Sequence, residues 1–237
     1  YIPDYEERFG PKFTRQDNPL PHAVIDFEYD GTMGSVIYMA HELGHALADD
    51  LQREAGMTYR ENPVHMQETQ AYFVQNIVID HLKTMNTPGI ADAADRVYTK
   101  DMARNMYDLN LSIIAGDALL SIRNGQTPDP ARLFESRLGP QWESLIRADK
   151  SSANSYDQIA KQDIQGIESN MIRLHSRPMG IMTGAVLAQR MQSCAANEKT
   201  KVARTILGGH GPSTAESALY AAAIEPENVV IRHVRHH

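Results

Sequence analysis

One cysteine, one tryptophan and five phenylalanines among 237 residues exclude more than they offer. Cys194 has no second thiol for an internal disulfide or for a paired metal ligand, so a reducing, cytoplasmic setting is expected, with the thiol as a small apolar group. Positive charge is short as well. Against 30 Asp and Glu stand 23 scattered Lys and Arg, a net charge of −7, and no basic stripe is present to hold a phosphate backbone. Nucleic acid is therefore excluded as an expected partner. No run approaches the roughly 18 apolar residues of a membrane span, so no membrane partner is expected either. The first eight residues, Tyr1 to Arg8, lack the cationic and apolar stretches of a signal peptide and include no methionine. The expectation is a domain cut from a longer protein whose remaining part carries any targeting signal.

Hydrophobic residues at 42% and charged residues at 22% are ordinary for a globular protein, and no internal repeat or low-complexity tract interrupts them. One body over residues 1–237 is expected. Residues 24–30 alternate, with Ile25, Phe27 and Tyr29 opposite Asp26, Glu28 and Asp30, which predicts a half-buried strand ending at Gly31. Its edge would suit an extended peptide. Val36, Ile37, Ala40, Leu43, Leu47 and Leu51 then recur at helical spacing until Gly56. A second helix is predicted with Asn62 as its cap and Pro63 at its first position, running to about Leu82. Further helices are expected over 92–123, 131–147, 156–175, 179–194 and 214–223, with breaks at Ser151 to Asn154 and at Pro178. The fold class is mainly α, with a small β element before the first helix.

That first helix carries His41-Glu42-Leu43-Gly44-His45. Residues four apart lie one above the other on a helix, so His41 and His45 can aim their imidazoles at one point, and two neutral imidazoles suit Zn²⁺. Glu42 lies about 100° further round the axis, where it can reach a water beside the metal without ligating it, the position of a general base. Gly44 costs up to about 1 kcal/mol in a helix interior, which implies that something approaches closely there.

A catalytic zinc takes three protein ligands and leaves a fourth position to water. The place of a third histidine six residues after His45 is taken by Leu51, so a carboxylate is required. Asp49, Asp50 and Glu54 lie on the same helix and point along or away from the zinc face, which leaves Glu61 and Glu68. Glu68 is preferred because it has a fixed place on a helix, whereas Glu61 precedes the cap on a loop. His65, one turn before Glu68, is placed to orient it or to sit exposed in the first turn; His81 has no evident role.

The stretch from Phe27 to Val36 together with Ala40 to Leu47 resembles the thimet oligopeptidase family of zinc peptidases (M3), and its oligopeptidase F branch in particular. Glu68-Thr69-Gln70-Ala71-Tyr72-Phe73 looks like that family's third-ligand helix, and Met179 to Met191 and Gly208 to Ile224 are similar to its late segments. The resemblance implies a zincin-like (gluzincin) catalytic domain spanning the chain, one catalytic zinc on His41, His45 and Glu68, and a peptide or protein substrate. It also implies tyrosines before the late helix, where this chain has none between Tyr156 and Tyr220; Asn170, His175 and Arg177 take their places, so that His175 or Arg177 would donate to the oxyanion. Gln75 replaces an acidic residue beyond the third ligand. The family's N-terminal helical half, which covers a deep channel, is missing from this sequence; a more open site, or one closed by a covering domain or partner chain, is implied. A zinc-binding interaction module that has lost catalysis is the competing expectation, and a helical interaction domain with an accidental motif is the third.

Overall fold

Short polar side chains set the start of the first long helix. Asp30 Oδ1 accepts from the backbone N–H and the hydroxyl of Thr32 at 2.9 and 2.7 Å, and Gly31 between them takes φ +80°, a value that suits glycine. Thr32 Oγ1 accepts in turn from the Ser35 N–H at 3.2 Å and caps α1, Met33–Glu54. The helix stops where Gly56, at φ +73°, lets its own N–H reach Arg53 O and that of Met57 reach Gln52 O, at 3.0 and 2.8 Å. This computed structural model describes residues 12–13, 25–57 and 62–209.

The remaining described elements are β1 (Lys12–Phe13), β2 (Ile25–Asp26), α2 (Val64–Thr84), α3 (Ile90–Arg123), α4 (Pro130–Leu138), α5 (Trp142–Ala148), α6 (Lys150–Ala160), α7 (Ile164–Gln192) and α8 (Ala196–Leu207). The chain is mainly α, as its periodicity predicts. The two strands pair antiparallel, Lys12 opposite Asp26 and Phe13 opposite Ile25. The predicted strand over 24–30 is cut to two residues in the described part, because Tyr29, at 63% exposure, has no core to face. The helix expected over 214–223 lies outside the described residues.

Other boundaries differ for local reasons. Pro63, not Asn62, is the cap of α2, since the Asn62 side chain is spent on a bond to Gly209 O at 3.2 Å. The helix expected over 131–147 is two, divided at Gly139 with φ +78°. The Ser-rich stretch at 151–154 is helical: Asp149 accepts from the Ser152 N–H and hydroxyl, at 2.8 and 2.6 Å, and so starts α6. Pro178 does not end a helix but lies inside α7, where it forfeits one main-chain bond.

The chain divides into two compact units, one of residues 103–178 and one formed by the described parts of 2–102 and 179–237. Residues 103–178 enclose an apolar core of Leu111, Ile114, Ala118, Phe134, Ile159 and Ile167, on which Trp142 and Tyr156 stack with centroids 5.7 Å apart. In the other unit Ala48, Phe73, Leu187, Ala188, Ile206 and Leu207 form one core cluster, and Ile37, Ile79 and Ala94 another. Among the described residues no helix is long and apolar enough to cross a membrane.

Candidate metal centre

Backbone contact, and not side-chain interlock, brings α1 and α2 together at the motif. A Cβ on Gly44 would stand 2.6 Å from Ala71 Cα and 2.9 Å from Ala71 O, so only glycine permits this approach. The third helix repeats the device. A Cβ on Gly180 would stand 2.4 Å from Glu68 Cβ, and one on Gly184 would stand 2.7 Å from Phe73 N. Glycines of α1 and α7 therefore press on α2 around Glu68, the carboxylate preferred from the sequence.

The ligand atoms of His41, Glu42 and His45 lie within 4.8 Å of one another, a group that could hold a metal ion. Glu42 is buried, at 8% exposure. The His41 and His45 rings meet edge to face with centroids 4.8 Å apart, and Tyr72 packs against His41 at 4.6 Å. From α2, Glu68 Oε2 comes to 3.6 Å from His41 Nε2, with both side chains mostly buried. A tetrahedral zinc site with bonds of about 2.0–2.1 Å spaces its ligand atoms by roughly 3.3 Å. His41 Nε2 and Glu68 Oε2 are close to that spacing, and two imidazoles with a carboxylate are a donor set that suits such an ion.

The far side of His41 is also engaged. Its Nδ1 lies 3.0 Å from Gln75 Oε1, and Gln75 Nε2 donates to Asp101 Oδ2 of α3 at 3.1 Å. Behind the site, buried Gln52, Gln70 and Asn62 all donate to Gly209 O, at 2.8, 3.0 and 3.2 Å. Three amides, from α1, from α2 and from Asn62 just before the cap of α2, thus hold the chain just beyond α8.

Of the carboxylates weighed against Glu68, Asp49 pairs with Arg53, Asp50 lies 4.0 Å from Arg53, and Glu54 pairs with Arg204 at 3.3 Å. Glu61 lies outside the described residues. His65 is half-buried and His81 exposed. Of the residues expected on the oxyanion side, Asn170 is buried within residues 103–178, donating to Ser155 Oγ at 3.2 Å and to Gln158 Oε1 at 2.8 Å. That bonding makes it a structural amide. His175 and Arg177 are exposed on α7 in the same unit and are not in the group formed by His41, Glu42 and His45. Sequence reasoning missed Asp101, Gly180 and Gly184. The last two carried a signal, a pair of small residues one turn apart on a helix.

A polar cluster elsewhere has its own electrostatics. Burial pushes the Asp108 carboxyl up from its ordinary value, against the opposing pull of Arg104. Burial acts the same way on Asp149, but hydrogen bonds from Ser152 and Arg104 outweigh it and hold that carboxyl below its ordinary value.

No protein-family model, curated protein or solved structure matches this chain.

Proposed function

We propose that the chain is a zinc-dependent metallopeptidase, with the metal held by His41, His45 and Glu68 and with Glu42 as general base. The observation that carries the reading is the convergence of four side chains from two helices: His41, Glu42 and His45 within 4.8 Å, and Glu68 at 3.6 Å from His41. A bound zinc ion supplies Lewis acidity, polarising the scissile carbonyl and acidifying a water. The rest is done by the chain. His41, His45 and Glu68 would hold the ion, on helices that approach closely at Gly44 and Gly180. A Glu42 carboxylate oxygen accepts the proton of the attacking water and passes it to the leaving amine nitrogen. Burial of Glu42 supports this role, because a carboxylate removed from solvent needs a positive or proton-donating neighbour.

The resemblance to the thimet oligopeptidase family belongs to this reading, carried by the HELGH helix and by the Glu68 helix beside it. His175 is the proposed donor to the oxyanion. The substrate class is a peptide or an extended protein segment. Metal analysis and a mixed peptide library test the proposal: about one zinc per chain with cleavage that stops on chelation is expected. His45→Ala should weaken zinc binding by more than the roughly 100-fold upper range of changes outside the ligand set. Zinc bound without cleavage would make the chain a binding module, and no zinc bound would end the reading.

A further inference from the structure

We infer that Asp101, acting through Gln75, fixes the tautomer of His41 and thereby points its Nε2 lone pair into the metal site. The inference rests on the zinc reading above and adds two positioning residues to it. A carboxylate can only accept hydrogen bonds, so the group of Gln75 that faces Asp101 Oδ2 at 3.1 Å must be its NH₂. The amide is then turned with Oε1 toward His41 Nδ1, at 3.0 Å. A carbonyl oxygen also only accepts, so Nδ1 carries the proton. In the neutral ring the lone pair is left on Nε2, the atom 3.6 Å from Glu68 Oε2.

The order of the bonds matters. Gln75 alone could flip and present its NH₂ to His41, which would move the imidazole proton to Nε2 and block the site. Asp101 prevents the flip. A neutral amide takes the place nearest the ligand, and the carboxylate acts at one remove from a different helix, so α3 reports on the orientation of a ligand it does not touch.

Two readouts test this. The first is the ¹⁵N spectrum of the imidazoles in metal-free protein, at a pH where they are neutral. His41 is expected to show a protonated Nδ1 and an unprotonated Nε2. The second is zinc affinity by competition with a chromogenic chelator. Gln75→Leu and Asp101→Ala are each expected to remove the His41 tautomer preference and to weaken zinc binding by about 10–100-fold. The exchanged pair, Gln75→Glu with Asp101→Asn, reverses donor and acceptor in the outer bond but keeps an oxygen on His41. It should restore the Nδ1–H signature and bring the affinity back to within about threefold of wild type, well inside that range. A wild-type spectrum with the proton on Nε2 would overturn the inference. So would single variants that match wild type in both readouts, or a loss of affinity with an unchanged spectrum that the exchanged pair does not repair. If wild type binds no zinc, the metal reading fails and the metal-free spectra decide the relay by themselves.

Discussion

Residues 103–178 and the unit that carries the HELGH helix both bury polar groups, but the surroundings differ. In the first, aliphatic side chains and the Phe134, Trp142 and Tyr156 rings form one large apolar cluster, with Asn105, Asp108 and Asn170 buried as well. In the second, the interior around the site holds Glu42, Asp49, Gln52, Asn62, Gln70 and Gln75, all less than 9% exposed, and its helices meet through glycine. Buried amides and carboxylates contribute little net stability, and only if they are satisfied. They do fix direction, which a metal ligand requires. The contrast is between an apolar cluster around Phe134, shaped by hydrocarbon burial, and the surroundings of the candidate site, shaped by the aiming of polar atoms.

The largest expected effect on stability lies in the first region. Phe134 is fully buried among Leu111, Ile159 and the aromatic pair, so Phe134→Ala should cost about 3–5 kcal/mol in urea denaturation. Zinc affinity should stay at the wild-type value; a matching loss would break the division between the two regions.

Gly44→Ala comes next. Alanine gains about 1 kcal/mol of helix propensity, yet its Cβ would have to displace the Ala71 backbone, which stands 2.6 Å from that position. Overpacking of this kind costs about 1–3 kcal/mol, so a net loss of stability is expected together with weaker zinc binding. Stabilisation by the alanine would contradict the close contact. Gly180→Ala should act in the same direction through Glu68.

The smallest effect concerns the cap of α6. Asp149→Ala should cost about 1 kcal/mol through loss of the bond to the Ser152 N–H. The pH dependence follows from the lowered carboxyl. A group whose pKa falls on folding stabilises above its unfolded value and loses that contribution as pH drops through the folded one. Asp149→Asn should therefore flatten the fall in stability below about pH 4. Asp108 opposes it: its raised carboxyl stabilises when protonated, and the contribution is lost as pH rises through the folded value. An unchanged acid limb in Asp149→Asn would assign the limb to other carboxylates.

Much of the candidate metal centre was legible because its signals are local. An i, i+4 histidine pair, a helix around it and a glycine where another backbone must pass can all be read along one stretch. Glu68 needed more, since its place beside His41 depends on how α1 and α2 pack. The fold was legible as mainly α, but punctuation misled twice. The Ser-rich run after Asp149 reads as a loop until the carboxylate is seen capping it, and Pro178 reads as a stop although α7 continues through it. The Gln75 to Asp101 bond joins residues 26 apart on different helices, and nothing in either helix alone announces it. Gln52 and Gln70 appear among apolar neighbours without stating that their partner is Gly209.

The central claim is that a metal site with a working base is present, and Glu42→Gln compared with wild type addresses it most directly. Glutamine keeps the shape of Glu42 but cannot take a proton from water. Zinc content should be equal in the two proteins, while cleavage of a mixed peptide library should fall by about 10²–10⁴-fold in the variant. Cleavage at the wild-type rate by Glu42→Gln would contradict the account.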